Sequence, residues 1–266
     1  MTALIIGGSG FLGNELIRQA RAAGHTTAAT YATRPGDTSQ AEWYALDLRD
    51  AGRLDAVMAE VRPHLVVDAS SGKADWATTT EGPVRIAMAA AKCGSRLVQV
   101  SSDAVFSGAR VHYDETCLPD PITPYGAAKA AAETGVLVVH PEAVVARTSL
   151  IIGYGRSVHE RLVHELAAGT HNGALFTDDI RCPVHVADLA AALWPRSRRR
   201  GGYWCPSPRW WRCSRAGPAR GWAARTPCGR RLWSLGRTSS ARTRSVRRTW
   251  TTVHPRSTRV RSTNCA

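Results

Sequence analysis

Tyr125 and Lys129 stand four residues apart in Thr123-Pro-Tyr-Gly-Ala-Ala-Lys129. The segment from Pro124 to His140 predicts a helix, which places both side chains on one face, a turn apart. A free phenol, with a pKa of ~10, is a poor proton donor or acceptor near neutrality. A neighbouring ammonium favours the phenolate and draws that pKa toward the working range. The two residues therefore read as a tuned acid/base couple. Taken alone they would be described more simply as a solvated helix pair. Ser102, at the end of an apolar run, and a glycine loop at the start of the chain weigh for the chemical description.

That loop is Gly7-Gly-Ser-Gly-Phe-Leu-Gly13. It follows the apolar run Ala3–Ile6, which predicts a buried parallel strand, and it opens a helical pattern to Ala23 with Gly24 placed to end it. Glycines at 7, 10 and 13 let the backbone turn tightly and approach a pyrophosphate at the helix N-terminus. Thr26–Tyr31 predicts a second strand, ending in Tyr31-Ala-Thr-Arg34. Dinucleotide folds often carry an acid there for the ribose hydroxyls. An arginine suits a 2′-phosphate instead, so Arg34 favours NADP over NAD; a solvated loop arginine is the plainer alternative.

Further strands are expected at Trp43–Leu46, Leu65–Ala69, Leu97–Val100 and Val144–Arg147. Helices are expected at Leu54–Val61 with Asp50 as its cap, Gly82–Cys93, Val158–Ala168 and Asp188–Leu193. Strands alternating with helices at this spacing predict an α/β fold with a doubly wound parallel sheet. Ligands bind such sheets at the carboxyl ends of the strands, which puts Gly7, Ala69, Ser102 and Thr148 on one rim. Arg147 reads either as a nucleotide contact or as an ion-paired strand end. Asp178-Asp179 reads as a solvated turn. His159, His164, His171 and His185 have no metal spacing, so no metal is expected.

Charge divides the chain sharply. Residues 1–195 carry 16 Lys/Arg and 21 Asp/Glu, a net of −5, whereas residues 196–266 carry 19 Arg and no Lys, Asp or Glu. The overall +14 thus comes from a basic tail on a mildly acidic body. Two parts follow: residues 1–194, a nucleotide-binding domain with part of a substrate lobe, and residues 195–266, an Arg/Trp-rich tail. The only large aliphatics from Arg196 onward are Leu232, Leu235, Val246, Val253 and Val260, too few to offset chain entropy by burial. Three descriptions of the tail compete: an out-of-frame reading of a GC-rich gene, a disordered basic arm, or a nucleic-acid-binding segment. Its composition matches GC-rich codons and nothing in it repeats, which favours the first and disfavours nucleic acid as a partner. The seven Cys form no CxxC pair, and their odd number argues for reduced thiols in a cytoplasmic protein. No apolar run is long enough to span a membrane.

With these residues in view, the chain resembles the extended short-chain dehydrogenase/reductases, and within them the dTDP-4-dehydrorhamnose reductase group. The matching pieces are the Gly7–Gly13 loop, Asp47-Leu48, Ala69-Ser-Ser71, Val100-Ser-Ser-Asp-Ala-Val-Phe106, Tyr125–Lys129, Arg147-Thr-Ser149 and Cys182–Leu189. They come in family order and cover about the first 190 residues.

The resemblance implies that Gly10, Phe11 and Leu12 hold the pyrophosphate and that Asp47 and Leu48 flank the adenine. It implies that Ala69, Ser70 and Ser71 line the nicotinamide half and that Ser102, followed by Asp103, meets the substrate carbonyl. Tyr125 would deliver a proton, and Lys129 would bind the nicotinamide ribose and tune the phenol. The implied activity is an NADPH-dependent reduction, with NADH as a second candidate, of a nucleotide-linked 4-keto-6-deoxy sugar. Helices of this kind often pair in the family, so a homodimer is one arrangement it allows.

Departures from the family pattern include Ser102 for the usual Thr, Leu150 for an aromatic, and Asp68-Ala-Ser-Ser71 for Asn-Ala-Ala-Ala. The family segment after Leu189 supplies part of the substrate lobe, so poor sugar-nucleotide affinity is expected here. Two other readings stay open: an NAD-dependent sugar-nucleotide epimerase and a non-catalytic NADP-binding regulatory subunit.

Overall fold

A computed structural model describes residues 1–73, 75–110, 112–174, 181–196 and 201–204. Strand β1 (Thr2–Ile6) leads through the glycine loop to helix α1 (Phe11–Ala22), and β2 (Thr26–Tyr31) and β3 (Glu42–Ala45) follow. Helix α2 (Ala51–Val61) begins where the Asp50 carboxylate accepts the Arg53 N–H at 2.9 Å, the cap expected from sequence. Strand β4 (Leu65–Asp68) precedes a π-helical turn over Ala77–Glu81, which continues as α3 (Gly82–Lys92). Strand β5 (Arg96–Ser102) ends in a single 3₁₀ turn, Asp103–Val105, ahead of α4 (Pro124–Val139). The rest comprises β6 (Val144–Thr148), β7 (Ile151–Ile152), α5 (Val158–Ala167), β8 (Val184–His185), α6 (Val186–Arg196) and β9 (Gly202–Trp204).

Seven strands form one sheet in the order β3-β2-β1-β4-β5-β6-β9, and every pairing is parallel. Helices cover both faces, as the alternation of strands and helices predicts. One core layer joins Leu4, Val66, Leu97 and Val145 of the sheet to Leu54, Met58, Ile86 and Val136 of α2, α3 and α4. The other joins Ile5, Val67, Val98 and Ala146 to Leu16, Ile17, Leu189 and Leu193 of α1 and α6. Because parallel strands bury both faces, they read as unbroken apolar runs.

Three strands escaped the sequence. β7 and β8 are two residues each and, among the described residues, pair with one another alone, so they carry no period. β9 lies beyond the charge boundary at residue 195, in what composition assigned to the tail. Gly202-Tyr-Trp204 nevertheless pairs with Val144–Ala146 as the edge strand, and Trp204 is buried. Its two aromatics suit a half-buried strand, but the arginines at 196–200 hide so short a run. The expectations for Asp178-Asp179 and for residues 205–266 lie outside the described residues.

One polar interaction fixes α4 on this sheet. Arg147 of β6 and Glu133 of α4 both have no exposed surface. Arg147 donates from Nε to Glu133 Oε1 at 3.1 Å and from Nη2 to Oε2 at 2.8 Å, and its Nη1 donates to the Cys117 carbonyl at 3.0 Å. The Ser101 hydroxyl donates to Glu133 Oε1 at 2.5 Å. The guanidinium carbon lies 5.0 Å from the Phe106 ring centroid and 4.0 Å from that of Tyr203. This resolves the two sequence readings of Arg147 in favour of the ion-paired strand end.

Removing one partner of such a pair strands a buried charge. Arg147→Met is therefore expected to cost about 3–5 kcal/mol in urea unfolding, with part of the loss recovered in Arg147→Met/Glu133→Leu. A single-variant loss under about 1 kcal/mol would show that the pair does not anchor the helix.

Candidate active site

At the end of β1 the chain turns through Gly7, whose φ of 74° suits glycine. Its N–H donates to the Thr30 hydroxyl at 3.0 Å, and the Gly10 N–H donates back to the Gly7 carbonyl at 3.0 Å. A Cβ on Gly13 would collide with the Gly7 carbonyl and with Gly8, so α1 can start this close to the strand only with glycine there. Gly10 is the N-cap of α1; no side chain caps the helix, and its first turn holds no acidic residue. Unfilled N–H donors at a positive helix end are an anion site. A dinucleotide pyrophosphate therefore fits the loop on this chain's own geometry.

Parallel pairing brings the next pieces alongside. Ile6 stands in register with Asp68, and Ala69 donates its N–H to the Ile6 carbonyl at 3.0 Å. A Cβ on Gly7 would lie 2.9 Å from Ser70 Cα, so the glycine loop and Ala69–Ser70 touch. Ser71 is exposed just beyond them. Asp68 pairs in register with Gln99 of β5, and Ser102 with Thr148. Gly7, Ala69, Ser70 and Ser102 thus share the carboxyl edge of the sheet.

The Ser102 hydroxyl is half-buried, accepts the Ala104 N–H at 3.1 Å and donates to Asp103 Oδ1 at 3.3 Å. Asp103 is itself engaged, because its Oδ2 accepts from the Ser149 hydroxyl at 2.7 Å and lies 3.8 Å from Arg181. Helix α4 reaches this turn closely: a Cβ on Gly126 would run into the Ala104 carbonyl. Tyr125, the preceding residue, is half-buried at the first turn of the helix. The Thr123 hydroxyl accepts the Gly126 N–H at 3.0 Å, which fixes where that turn begins. Lys129 is 3% exposed and donates from Nζ to the Val100 carbonyl at 3.2 Å. The Ser102 turn and the first turn of α4, which carries Tyr125, therefore meet at the carboxyl edge of the sheet, and the Lys129 ammonium is buried against the Val100 carbonyl.

Other expected residues lie further along the same edge. Arg34 is exposed beyond β2, and Asp47 is exposed beyond β3, the outermost strand. Arg49 binds the Asp47 carboxylate at 2.7 Å and holds its pKa down at about 2. Leu48 is buried against Gly82. A cleft of about 670 Å³ opens beside the loop, lined among others by Ser9, Phe11, Asn14, Arg18, Tyr154 and Arg156. Among the described residues no cluster of three or more His, Cys, Asp or Glu could hold a metal ion. None of their helices is long and apolar enough to cross a membrane.

Sequence reasoning did not find the buried polar layer beneath the rim, although it noted Asp68 as a departure from asparagine: Asp68, Gln99, Ser101 and Glu133 are all nearly or fully buried. A signal existed for each. Asp68 and Gln99 interrupt apolar strand runs, and Glu133 stands four residues after Lys129 on the same helix face. Burial pushes the Asp68 carboxyl above the usual carboxylate range, a rise opposed by the charge of Lys129 and by hydrogen bonds from Ser70.

Comparison with known proteins places this geometry. The dTDP-4-dehydrorhamnose reductase of Mycobacterium tuberculosis (strain CDC 1551 / Oshkosh) is 32% identical over 202 residues, covering 71% of this chain and 64% of that one. The chain thus matches less than two thirds of that relative's length. Among solved structures, the Bordetella bronchiseptica enzyme WbmG in complex with NAD superposes with a TM-score of 0.67 at 25% identity, over 78% of this chain and 72% of that one. The dTDP-4-dehydrorhamnose reductase from Bacillus anthracis str. Ames, in complex with NADP, gives 0.62 at 26% identity over 77% and 74%. Residues 1–200 match the family described as RmlD substrate binding domain, and the chain belongs to that family.

Proposed function

We propose that the chain is an NADPH-dependent reductase of a nucleotide-linked 4-keto-6-deoxy sugar. The observation that supports this reading is that the Ser102 turn, the first turn of α4 with Tyr125, and an uncapped glycine loop share one sheet edge, with Lys129 buried against the Val100 carbonyl. Reductases named for this activity are among the relatives, including one solved with NADP.

Gly10, Phe11, Leu12 and Gly13 hold the pyrophosphate through backbone N–H groups. Arg34 meets the 2′-phosphate, and Asp47 and Leu48 flank the adenine end. Ala69, Ser70 and Ser71 line the nicotinamide half. NADPH held by these residues would supply the hydride for the carbonyl carbon. The Ser102 hydroxyl, turned from Asp103 toward substrate, polarises the carbonyl oxygen. Tyr125 gives that oxygen its proton. The Lys129 ammonium favours the phenolate left behind and binds the ribose. Asp103 orients Ser102 and borders the sugar.

WbmG, solved with NAD, resembles the chain as closely as the NADP-bound reductase does, and a putative epimerase from Burkholderia cenocepacia J2315 superposes equally well, which together support a second reading, an NAD-dependent sugar-nucleotide epimerase. Arg34 separates the two. Losing one charge-assisted contact to the 2′-phosphate should raise KM for NADPH about tenfold in Arg34→Ala and leave KM for NADH within about twofold. Equal changes for both cofactors would remove the basis for NADP preference.

Replacing the proton donor tests the chemistry itself. Tyr125→Phe is expected to lower kcat for keto-sugar reduction by roughly 10²–10⁴, with NADPH affinity nearly unchanged. Turnover within about threefold of the native rate would exclude Tyr125 as the donor.

A further inference from the structure

Lys129 is an ammonium almost without solvent, and among the described residues its hydrogen-bond acceptor is the neutral Val100 carbonyl. Burying a cation without a counter-charge costs several kcal/mol, so its surroundings should contain a carboxylate. On α4 itself Glu133 is a turn away, but both its oxygens are held by Arg147 and one also by Ser101. On the Asp103–Val105 turn, Asp103 serves Ser102, Ser149 and Arg181. Ahead of α3, Glu81 pairs with Arg85 at 2.6 Å. Lys92 of α3 and Arg96 of β5 are cations, and Tyr203 of β9 packs on Arg147.

Asp68 is left. It is 1% exposed and ends β4, the strand beside β5. Ser70 occupies its Oδ1 through the hydroxyl at 2.5 Å and the N–H at 3.0 Å, while Oδ2 has no partner. Its register neighbour Gln99 is fully buried, with neither amide atom partnered. Arg147 and Glu133 neutralise each other, so Asp68 and Lys129 are the remaining opposite charges of this buried layer. Lys129 is also the charged group that most opposes the burial of Asp68.

We propose that Asp68 is the counter-ion of Lys129 across this buried layer, beyond direct ion-pair distance, and a positioning residue that favours the charged ammonium against the Val100 carbonyl. The proposal rests on the reductase reading for its purpose, but its geometry stands without turnover. Asp68 touches no substrate and acts through Lys129. It stands where the resembling reductases usually have asparagine, so this chain carries a charge at that position which its resemblance does not imply.

The coupling can be read without catalysis, on the full chain. The ¹³Cγ signal of Asp68 is identified by its loss in Asp68→Asn and followed through a pH titration. In Lys129→Met its midpoint should rise by about one pH unit or more, because an opposite charge no longer favours the carboxylate. The urea midpoint of Asp68→Asn/Lys129→Met should be no lower than that of the weaker single variant, since the double removes both charges of the pair. An unmoved Asp68 midpoint together with additive losses would overturn the counter-ion. A coupled pair in a chain that reduces no keto sugar would leave this inference standing and remove the reductase reading. Reduction of keto sugar with no coupling would do the reverse.

Discussion

A buried arginine–glutamate pair sets the position of the helix on which the site depends. Glu133 sits one turn beyond Lys129 and two beyond Tyr125, so locking it to Arg147 fixes how far α4 slides and rotates over β5 and β6. A pair without exposed surface tolerates little play, because each lost hydrogen bond would leave a charged atom unsatisfied. Cys117, Ser101, Phe106 and Tyr203 complete the shell around it and come from four different segments. The edge strand β9 therefore has a use beyond widening the sheet, since Tyr203 closes one face of the Arg147 guanidinium.

Around that anchor, polar groups divide into two levels. At the carboxyl edge of the sheet stand Ser102, the first turn of α4 with Tyr125, and the glycine loop. Beneath it, Asp68, Gln99, Ser101, Lys129 and Glu133 are shielded from water. Low local dielectric strengthens electrostatic effects among these groups. A lysine meant to favour a phenolate is better served there than at the surface, where solvent and salt would screen it.

Much of the fold was legible because parallel strands buried on both faces leave a strong mark. Ala3–Ile6 read as a strand from apolar character alone, Leu65–Ala69 and Leu97–Val100 did so despite one polar residue each, and glycines or a capping aspartate set the helix ends. The rim residues were legible through motif spacing. What could not be read depends on pairing across distance. Two-residue strands carry no period, and β9 is hidden by the arginines before it. Whether Arg147 faced a nucleotide or a carboxylate depended on Glu133, fourteen residues earlier on another element. Asp68 showed only as an oddity of composition, because no local pattern says which buried cation a carboxylate will meet.

The most direct measurement follows NADPH absorbance when the purified full chain is given a dTDP-4-keto-6-deoxy sugar, with the corresponding 4-hydroxy sugar as control. NADPH loss that matches loss of the ketone mole for mole, and is absent with the control, is the expected result. Saturable NADPH binding with no consumption on any nucleotide-linked keto sugar would contradict it and leave a cofactor-binding protein without reductase chemistry.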